Sequence, residues 1–504
     1  MKNKKRTNNR FLAIYTFLSV LLFMGCDTDM INHGPTDKEN VITESFSGLS
    51  SSESSSEITR TGRYLILTKN QKMSRRLTQD IEAAGGEIVK LMPKIGVAIA
   101  ISDSPDFIEN TKGLKGIESI TEDLILQFTD PNMGMVENEV TAESESIGED
   151  AFFDGFQWAP DAIGAPQAWD AGFTGSGVRV AILDGGIYDS HLDLAPNLDV
   201  ATSASFVPGF NFNQDTGIFW HGTHVAGIVA ASGNIGVVGI APRATLVGVK
   251  VLHSGSGAFE WILEGIIYAA TPQFQGGAGA DIINMSLGAT FNYRDNWFDK
   301  GFRDAFRELQ KAYDRATRYA YQQGVTVIAS AGNGATNYDD AKELFKIPAE
   351  NQHVLSISST GPTGWGFGAT NFSDIAYYSD YGKSLVSLAA PGGSVGLAII
   401  DGNFDPCTIT GTFTSITATC AVFDQVFSTV RGTTIASYNW AQGTSMAAPA
   451  AAGVAALIID ANNREMSPAQ VKTALQQSAD DLGKPGNDEF YGHGWVNAAR
   501  AVGL

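Results

Sequence analysis

The chain has 504 residues, of which 43% are apolar and only 17% charged, so a large buried core is within reach. Its 55 glycines follow no Gly-X-Y period, which excludes a collagen-like fold. Acids outnumber bases 54 to 34, and five of those bases precede residue 11, leaving 29 bases against 54 acids, or −25, on residues 27–504. A body that acidic does not bind nucleic acid by neutralising phosphates.

At the N-terminus, Lys2, Lys4, Lys5, Arg6 and Arg10 precede an apolar run from Phe11 to Met24, followed by Gly25-Cys26. The run is short for a bilayer span and has the form of a signal peptide over residues 1–26. Cysteine after a small residue resembles a bacterial lipoprotein cleavage box. Cys26 is therefore the expected lipidation site, and the chain is expected to be exported and membrane-anchored at the bacterial cell envelope or surface, or otherwise secreted. Cys407 and Cys420 enclose twelve residues, and in an exported chain they are expected to form a disulfide. Closing a loop near 15 residues adds about 3 kcal/mol in the chain-entropy model.

Residues 27–60 are rich in Ser, Thr and Glu and read as a tether. Residues 61–130 read as a small α/β domain. Tyr64–Leu67 is a strand, Ser74–Ala84 a helix, Glu87–Ser102 two strands folded at Pro93-Lys94, Phe107–Leu114 a helix and Leu124–Phe128 a last strand. The order βαββαβ is ferredoxin-like. Residues 131–156 form an acidic linker with seven acids and no Lys or Arg, a good place for a proteolytic cut.

From 157 to 504 short apolar runs alternate with helical stretches. Val178–Leu183, Thr245–Val251, Ile282–Leu287, Val325–Ser330, Val354–Ile357 and Leu385–Ala390 are continuous rather than alternating, as in parallel strands buried on both faces. Helices are expected over Val225–Ala231, Glu260–Ala270, Phe302–Gln322 and Met446–Ile459, with another starting in the capping box at Ser467. The fold class is α/β, a doubly wound parallel sheet with helices on both faces.

Three spots interrupt apolar packing at element ends. Asp184 follows Val180–Leu183 and precedes two glycines; it is either a site residue at the carboxyl end of a strand or a local turn. His221-Gly222-Thr223-His224 has the i, i+3 spacing of a metal pair, but Gly222 stands where a zinc peptidase needs its general-base Glu. His224 is expected to be a buried structural residue and His221 to face a cleft. Ser445, in Gly443-Thr444-Ser445-Met446-Ala447-Ala448-Pro449, is either a helix cap or a nucleophile whose approach is kept open by small neighbours. Pro449 cannot donate to the Ser445 carbonyl.

An Asp, His and Ser together make a charge-oriented nucleophile, because Ser needs a base to take its proton and the base needs a carboxylate to orient it. The chain order and the flanking residues resemble the subtilisin-like serine proteases (subtilases). The resemblance spans about 158 to 500 and rests on Val180–Asp184, His221–Gly227, Ile282–Gly288, Ala329–Asn333, Gly443–Pro449 and Gly492–Asn497. It implies a serine endopeptidase acting on polypeptides, with Asp184, His221 and Ser445 as triad and Asn333 as oxyanion donor. It implies that Gly255-Ser256-Gly257 and Ser286-Leu287-Gly288 sandwich an extended substrate, and that Ala331 and Gly332 wall a pocket expected to take large apolar side chains. No cofactor is implied for the chemistry. A structural calcium ion is implied at Asp193, with Asp154 and Asn234. Residues 61–130 are similar to subtilase prodomains, particularly those of fervidolysin-like and lantibiotic-leader-processing enzymes, which implies a zymogen inhibited by its own propeptide and cut in the linker. Gly185 departs from the family, which usually has Ser or Thr after the aspartate. Two insertions, around 289–320 and 395–437, are expected to cover or extend the cleft. The rival readings are a processing peptidase dedicated to one substrate and an inactive surface scaffold.

Overall fold

The computed structural model describes residues 59–129, 140–141, 153–216, 219–294, 300–411 and 413–504. The expected signal peptide with Cys26, nearly all of the tether and most of the acidic linker lie outside the described residues.

The first described elements are β1 (Thr59–Thr68), α1 (Leu77–Ala83), β2 (Glu87–Met92), β3 (Val97–Ile101), α2 (Phe107–Lys112) and β4 (Ile117–Gln127). The strands pair antiparallel in the order β2-β3-β1-β4, the ferredoxin-like arrangement. Alternate residues of β1 serve the two faces of this sheet, as strand geometry requires. Ile66 packs with Leu77, Ile81 and Phe107 beneath α1 and α2, whereas Leu65 and Leu67 join a core that includes Phe259, Ile262 and Tyr313 far along the chain. Both faces are therefore buried. β4 starts at Ile117, well before the expected Leu124.

The remaining elements are β5 (Val140–Thr141), α3 (Trp158–Ala162), α4 (Ala165–Asp170), β6 (Arg179–Asp184), β7 (Ala204–Ser205), α5 (His221–Ala230), β8 (Thr245–Lys250), β9 (Ser256–Ala258), α6 (Phe259–Ala270), β10 (Ile282–Met285), β11 (Ala289–Asn292), α7 (Lys300–Gln322), β12 (Thr326–Ser330), β13 (Leu344–Ile347), β14 (Val354–Thr360), β15 (Leu388–Pro391), α8 (Gly396–Ile399), β16 (Pro406–Thr410), β17 (Ser415–Thr419), α9 (Cys420–Phe423), β18 (Val426–Val430), β19 (Ser437–Ala441), α10 (Thr444–Ala461), α11 (Pro468–Ser478) and α12 (Ala498–Ala501). A parallel seven-stranded sheet runs β15-β14-β12-β10-β6-β8-β7. All six expected runs are in it, and β7 is a short edge strand that two residues of pattern did not reveal. The order reverses at β6, which has β10 on one side and β8 on the other; such a switch point opens a crevice at the strands' carboxyl ends.

The packing follows the sequence. Apart from Pro449, α10 is Ala, Gly, Val, Leu and Ile from Ala447 to Ile459, and it is buried all round over that stretch beneath β10, β12, β14 and β15. On the opposite face, α6 and α7 cover the sheet and are in turn covered by the N-terminal unit. The insertion 395–437 carries the β16–β17 hairpin, and Cys407 and Cys420 form the expected disulfide.

Candidate active site

Asp184 is the last residue of β6 and His221 the first of α5. His221 Nδ1 lies 2.9 Å from Asp184 Oδ2 and 3.0 Å from Oδ1. The two residues are 4% and 1% exposed, so this bond is out of bulk water and is correspondingly strong. Since a carboxylate only accepts, Nδ1 carries the proton and Nε2 is left as the basic nitrogen. Asp184 Oδ1 also accepts the Gly185 N–H at 2.6 Å. Gly222 is glycine for a steric reason: a Cβ there would sit 2.5 Å from Gly186 O and 2.9 Å from Asp184 Cβ. His224 is fully buried with Nε2 3.1 Å from Asn439 O; burial pushes it down to about 3, so it is neutral and structural.

Ser445 is the second residue of α10, so its N–H has no acceptor four residues back in the helix. Its Oγ donates to Ser286 O at 3.3 Å. The Ser445 carbonyl, which Pro449 cannot reach with an N–H, accepts Ser286 Oγ at 2.7 Å, and Asn284 Nδ2 supports that hydroxyl at 3.0 Å. Pro449 thus opens the turn, and Ser286 fills it. Asn333 lies just beyond β12, and its Oδ1 accepts both the N–H (2.9 Å) and the hydroxyl (2.8 Å) of Thr444. With the oxygen so committed, the amide NH2 is the donor end. α5 and α10 pack against each other, so His221 and Ser445 start two neighbouring helices.

The departure at Gly185 has a partner. A Cβ at 185 would overlap Asp215 Oδ2. Asp215 Oδ1 accepts the Ser254 and Thr216 N–H groups at 2.9 Å and lies 4.0 Å from Nζ of the buried Lys250. Lys250 donates to the carbonyls of Gly185 and Leu252. Burial lowers its pKa to about 8, partly offset by the charges of Asp215 and Asp184. Neither Asp215 nor Lys250 stood out in the sequence; the signal was the missing side chain at 185.

The two edge segments do hold an extended strand, and it is the end of β4. Gln127 pairs with Ser256, Leu126 with Gly257 and Ile125 with Ala258, antiparallel. Gly255 O accepts the N–H groups of Phe128 (2.9 Å) and Thr129 (3.1 Å), and Gly288 N–H donates to Phe128 O at 3.1 Å. Leu287 is buried beside them.

The pocket between Ser286–Gly288 and Ala331-Gly332 is not the open apolar one expected. The side chain of Lys346 lies between the two segments: a Cβ on Gly288 would be 3.3 Å from its Cε, and one on Gly332 would overlap its Nζ and the Asp380 carboxylate. The sequence reading missed both residues. Lys346 sat in a short apolar stretch, and nothing local ties it to Asp380.

Asp193, at the centre of the residues named for calcium, is arranged for hydrogen-bond donors rather than for the ion. Asp193 is fully buried, and its oxygens accept from Ile235 N (2.9 Å), Ser232 Oγ (3.3 Å), Gly236 N (2.9 Å), Val237 N (3.1 Å) and Tyr438 Oη (2.7 Å). Calcium needs those lone pairs; here five donors use them. The loop presents N–H groups, not carbonyls, to the carboxylate. Asn234 is engaged through its backbone N–H to Ser232 Oγ at 3.3 Å, and the side chain of Asp154 lies outside the described residues. Among the described residues no three or more His, Cys, Asp or Glu side chains gather as a metal cluster.

Against known proteins, residues 175–494 match the family model described as "Subtilase family". The chain is 32% identical over 444 residues to M-protease of Shouchella clausii (strain KSM-K16), covering 87% of this chain and 91% of that one. It is 30% identical over 468 residues to subtilisin E of Bacillus subtilis (strain 168), covering 92% and 96%. The fold is similar to that of the epidermin leader peptide processing serine protease of Staphylococcus aureus, with a TM-score of 0.67 at 21% identity over 87% of this chain and 97% of that one.

Proposed function

From the premise that this chain belongs to the subtilase family and is a serine endopeptidase acting on polypeptides, we propose that Asp184, His221 and Ser445 are its triad, Asn333 its oxyanion donor, and residues 61–130 its inhibitory propeptide. The observation that carries the reading is the buried His221–Asp184 bond. It fixes the tautomer in which Nε2 takes the Ser445 proton, and it favours the imidazolium that results. As Ser445 Oγ attacks the substrate carbonyl, the Asn333 amide and the Ser445 backbone N–H donate to the oxygen where charge develops. His221 then returns the proton to the leaving amine, and water repeats the sequence on the acyl-enzyme.

The zymogen reading is supported by β4 lying where a substrate strand would lie, between Gly255 and Gly288. Export and lipid anchoring through Cys26 rest on residues 1–26 alone. An inactive scaffold has no use for a buried carboxylate that fixes the tautomer of His221. A dedicated processing peptidase is the second reading, favoured by the narrowed pocket at Lys346.

In a host without other extracellular proteases, the unaltered protein is expected to lose the N-terminal third by a cut between Asp130 and Phe156. Ser445→Ala is expected to keep it. A fluorophosphonate is expected to label Ser445; labelling that persists in Ser445→Ala refutes the assignment, and equal trimming of the variant refutes self-processing. Incorporation of a labelled fatty acid, lost in Cys26→Ala, tests the anchor.

A further inference from the structure

We propose that Lys346 sets the enzyme's choice of the residue before the cut, selecting a short side chain that accepts a hydrogen bond, Asp foremost, and excluding large apolar ones. This rests on the active-site reading above and names the substrate class for it.

β13 pairs antiparallel with β11, which begins directly after Gly288, and the register sets Lys346 opposite Thr290. Side chains opposite each other on a ladder share a face, so the pairing delivers the lysine to the wall that Gly288 begins. Its Cε approaches the Gly288 α-carbon side, and its ammonium occupies the space that a side chain at Gly332 would need. Gly332 has φ +116° and gives its N–H to Thr444 Oγ1 at 3.0 Å, beside Ser445. The lysine therefore spans the gap between the two walls. A side chain entering from the cleft finds the depth of the pocket filled.

The ammonium is held in place. Nζ donates to Thr290 Oγ1 at 2.9 Å and to Asp380 Oδ2 at 3.2 Å. Asp380 is itself fixed, since its Oδ1 accepts the Gly334 and Thr336 N–H groups at 2.9 and 3.0 Å. The other nearby acid, Glu350, takes the main-chain N–H of Lys346 at 2.6 Å rather than the ammonium. An ammonium has three N–H groups, and two acceptors leave one for an incoming ligand. Lys346 is 8% exposed, so an apolar side chain pushed against it would strip the remaining water and return no hydrogen bond. A short carboxylate or amide returns one.

The register of the strand already in the cleft agrees. An extended peptide held as Phe128 is, and running antiparallel to Gly288–Ser286, brings the residue two positions on opposite Ser286, whose carbonyl accepts Ser445 Oγ. In this chain's own sequence the residue two after Phe128 is Asp130, which lies outside the described residues.

The test uses mature enzyme, counted by phosphonate titration, on fluorogenic peptides Leu-Gln-Phe-Thr-X with X as Asp, Asn, Glu, Leu or Phe. Expected kcat/KM for Asp exceeds that for Phe by about tenfold or more. Lys346→Ala opens the depth and removes the charge, so the ratio should invert. Lys346→Met keeps the bulk, so it should lose the Asp preference without gaining Phe. Preference for Phe or Leu in the unaltered enzyme overturns the proposal, as does an unchanged ratio in Lys346→Ala. If no peptide is cut and the phosphonate labels nothing, the active-site reading has failed and this inference falls with it.

Discussion

Asp193 offers the sharpest test of how this chain stabilises a loop that its family resemblance assigns to calcium. Replacing it with Asn leaves one acceptor oxygen where there were two. Oδ1 takes one backbone N–H (Ile235) and the Ser232 hydroxyl, whereas Oδ2 takes two backbone N–H groups and the Tyr438 hydroxyl. The amide NH2 therefore settles on the Oδ1 side, where Ser232 can turn to accept but Ile235 N–H is orphaned at about 1–3 kcal/mol. The three bonds on the other oxygen change from charged to neutral acceptors, losing about 0.5–1 kcal/mol each. Asp193→Asn should thus cost about 3–5 kcal/mol. Tyr438→Phe removes one donor without orphaning a backbone group, and should cost about 1.5–2 kcal/mol. In a Ser445→Ala background, which prevents self-digestion, thermal midpoints at fixed scan rate should fall by roughly 5–8 °C and roughly 3 °C, at about 2 °C or less per kcal/mol for a unit this large. Millimolar EDTA should leave the unaltered midpoint in place. A calcium ion held at 100 times its Kd would contribute about 2.7 kcal/mol, so the contrast is measurable. A drop with EDTA that calcium restores, and that vanishes in Asp193→Asn, would refute the reasoning.

Asn333→Ala should lower kcat about 10²–10³-fold with little change in KM, a magnitude taken from a subtilisin rather than worked from this chain; a predominantly KM effect in steady-state kinetics would make Asn333 a binding residue. Gly185→Ser should displace the Asp215 carboxylate it would overlap, and lower both activity and the thermal midpoint; an unchanged crystal position for Asp215 would contradict this. Inhibition of mature enzyme by separately made 61–130 should weaken as pH rises. Burial, reinforced by the Glu260 charge, holds the Asp123 carboxyl well above its ordinary value in the docked state, so docking takes up a proton above the free pKa near 4 and affinity falls up to about tenfold per pH unit until the docked group ionises. Inhibition constants from pH 5 to 8 check this, and Asp123→Asn should flatten the slope.

The catalytic fold was legible because its strands are buried on both faces, and continuous apolar runs such as Val180–Leu183 have no other common explanation. The candidate site was legible where small residues crowd a polar one, as at Gly222 and Gly443. What stayed hidden depends on partners far along the chain. Residues 117–123 of β4 are mostly polar and look like a loop, yet Glu118 pairs with Arg315 at 2.7 Å, Ser119 donates to Glu308, and Asp123 accepts the Glu260 N–H at 3.3 Å. Each partner is more than 130 residues away, on α6 or α7. Asp193 misled for a related reason: its spacing from Asp184 suggests a metal ligand, whereas the direction in which a loop turns its N–H groups is not written in its composition. Lys346 reads as a surface lysine until the β11–β13 pairing brings it to Gly288.

If the chain is the proposed zymogen, cut in its linker, the contact between β4 and β9 also orders the events of maturation. β9 has three residues and would otherwise be an open edge, with main-chain groups that any extended peptide can satisfy. While the chain is continuous, β4 fills that edge at a high effective concentration, and substrate competes poorly. A cut in the linker ends the covalent connection but removes none of the contacts that hold the N-terminal unit. Those contacts include the apolar face of Leu65, Leu67, Ile99 and Leu126 against α6 and α7, and the bidentate Arg63–Glu260 bridge at 2.6 and 2.7 Å. Cutting alone therefore leaves the cleft occupied. Activity must wait until the 61–130 unit dissociates or is digested, and changes that weaken the remote face, such as Arg63→Ala, should shorten the lag before activity without altering the rate of the first cut. A lag set by that cut alone, insensitive to Arg63→Ala, would place the controlling step in the linker instead.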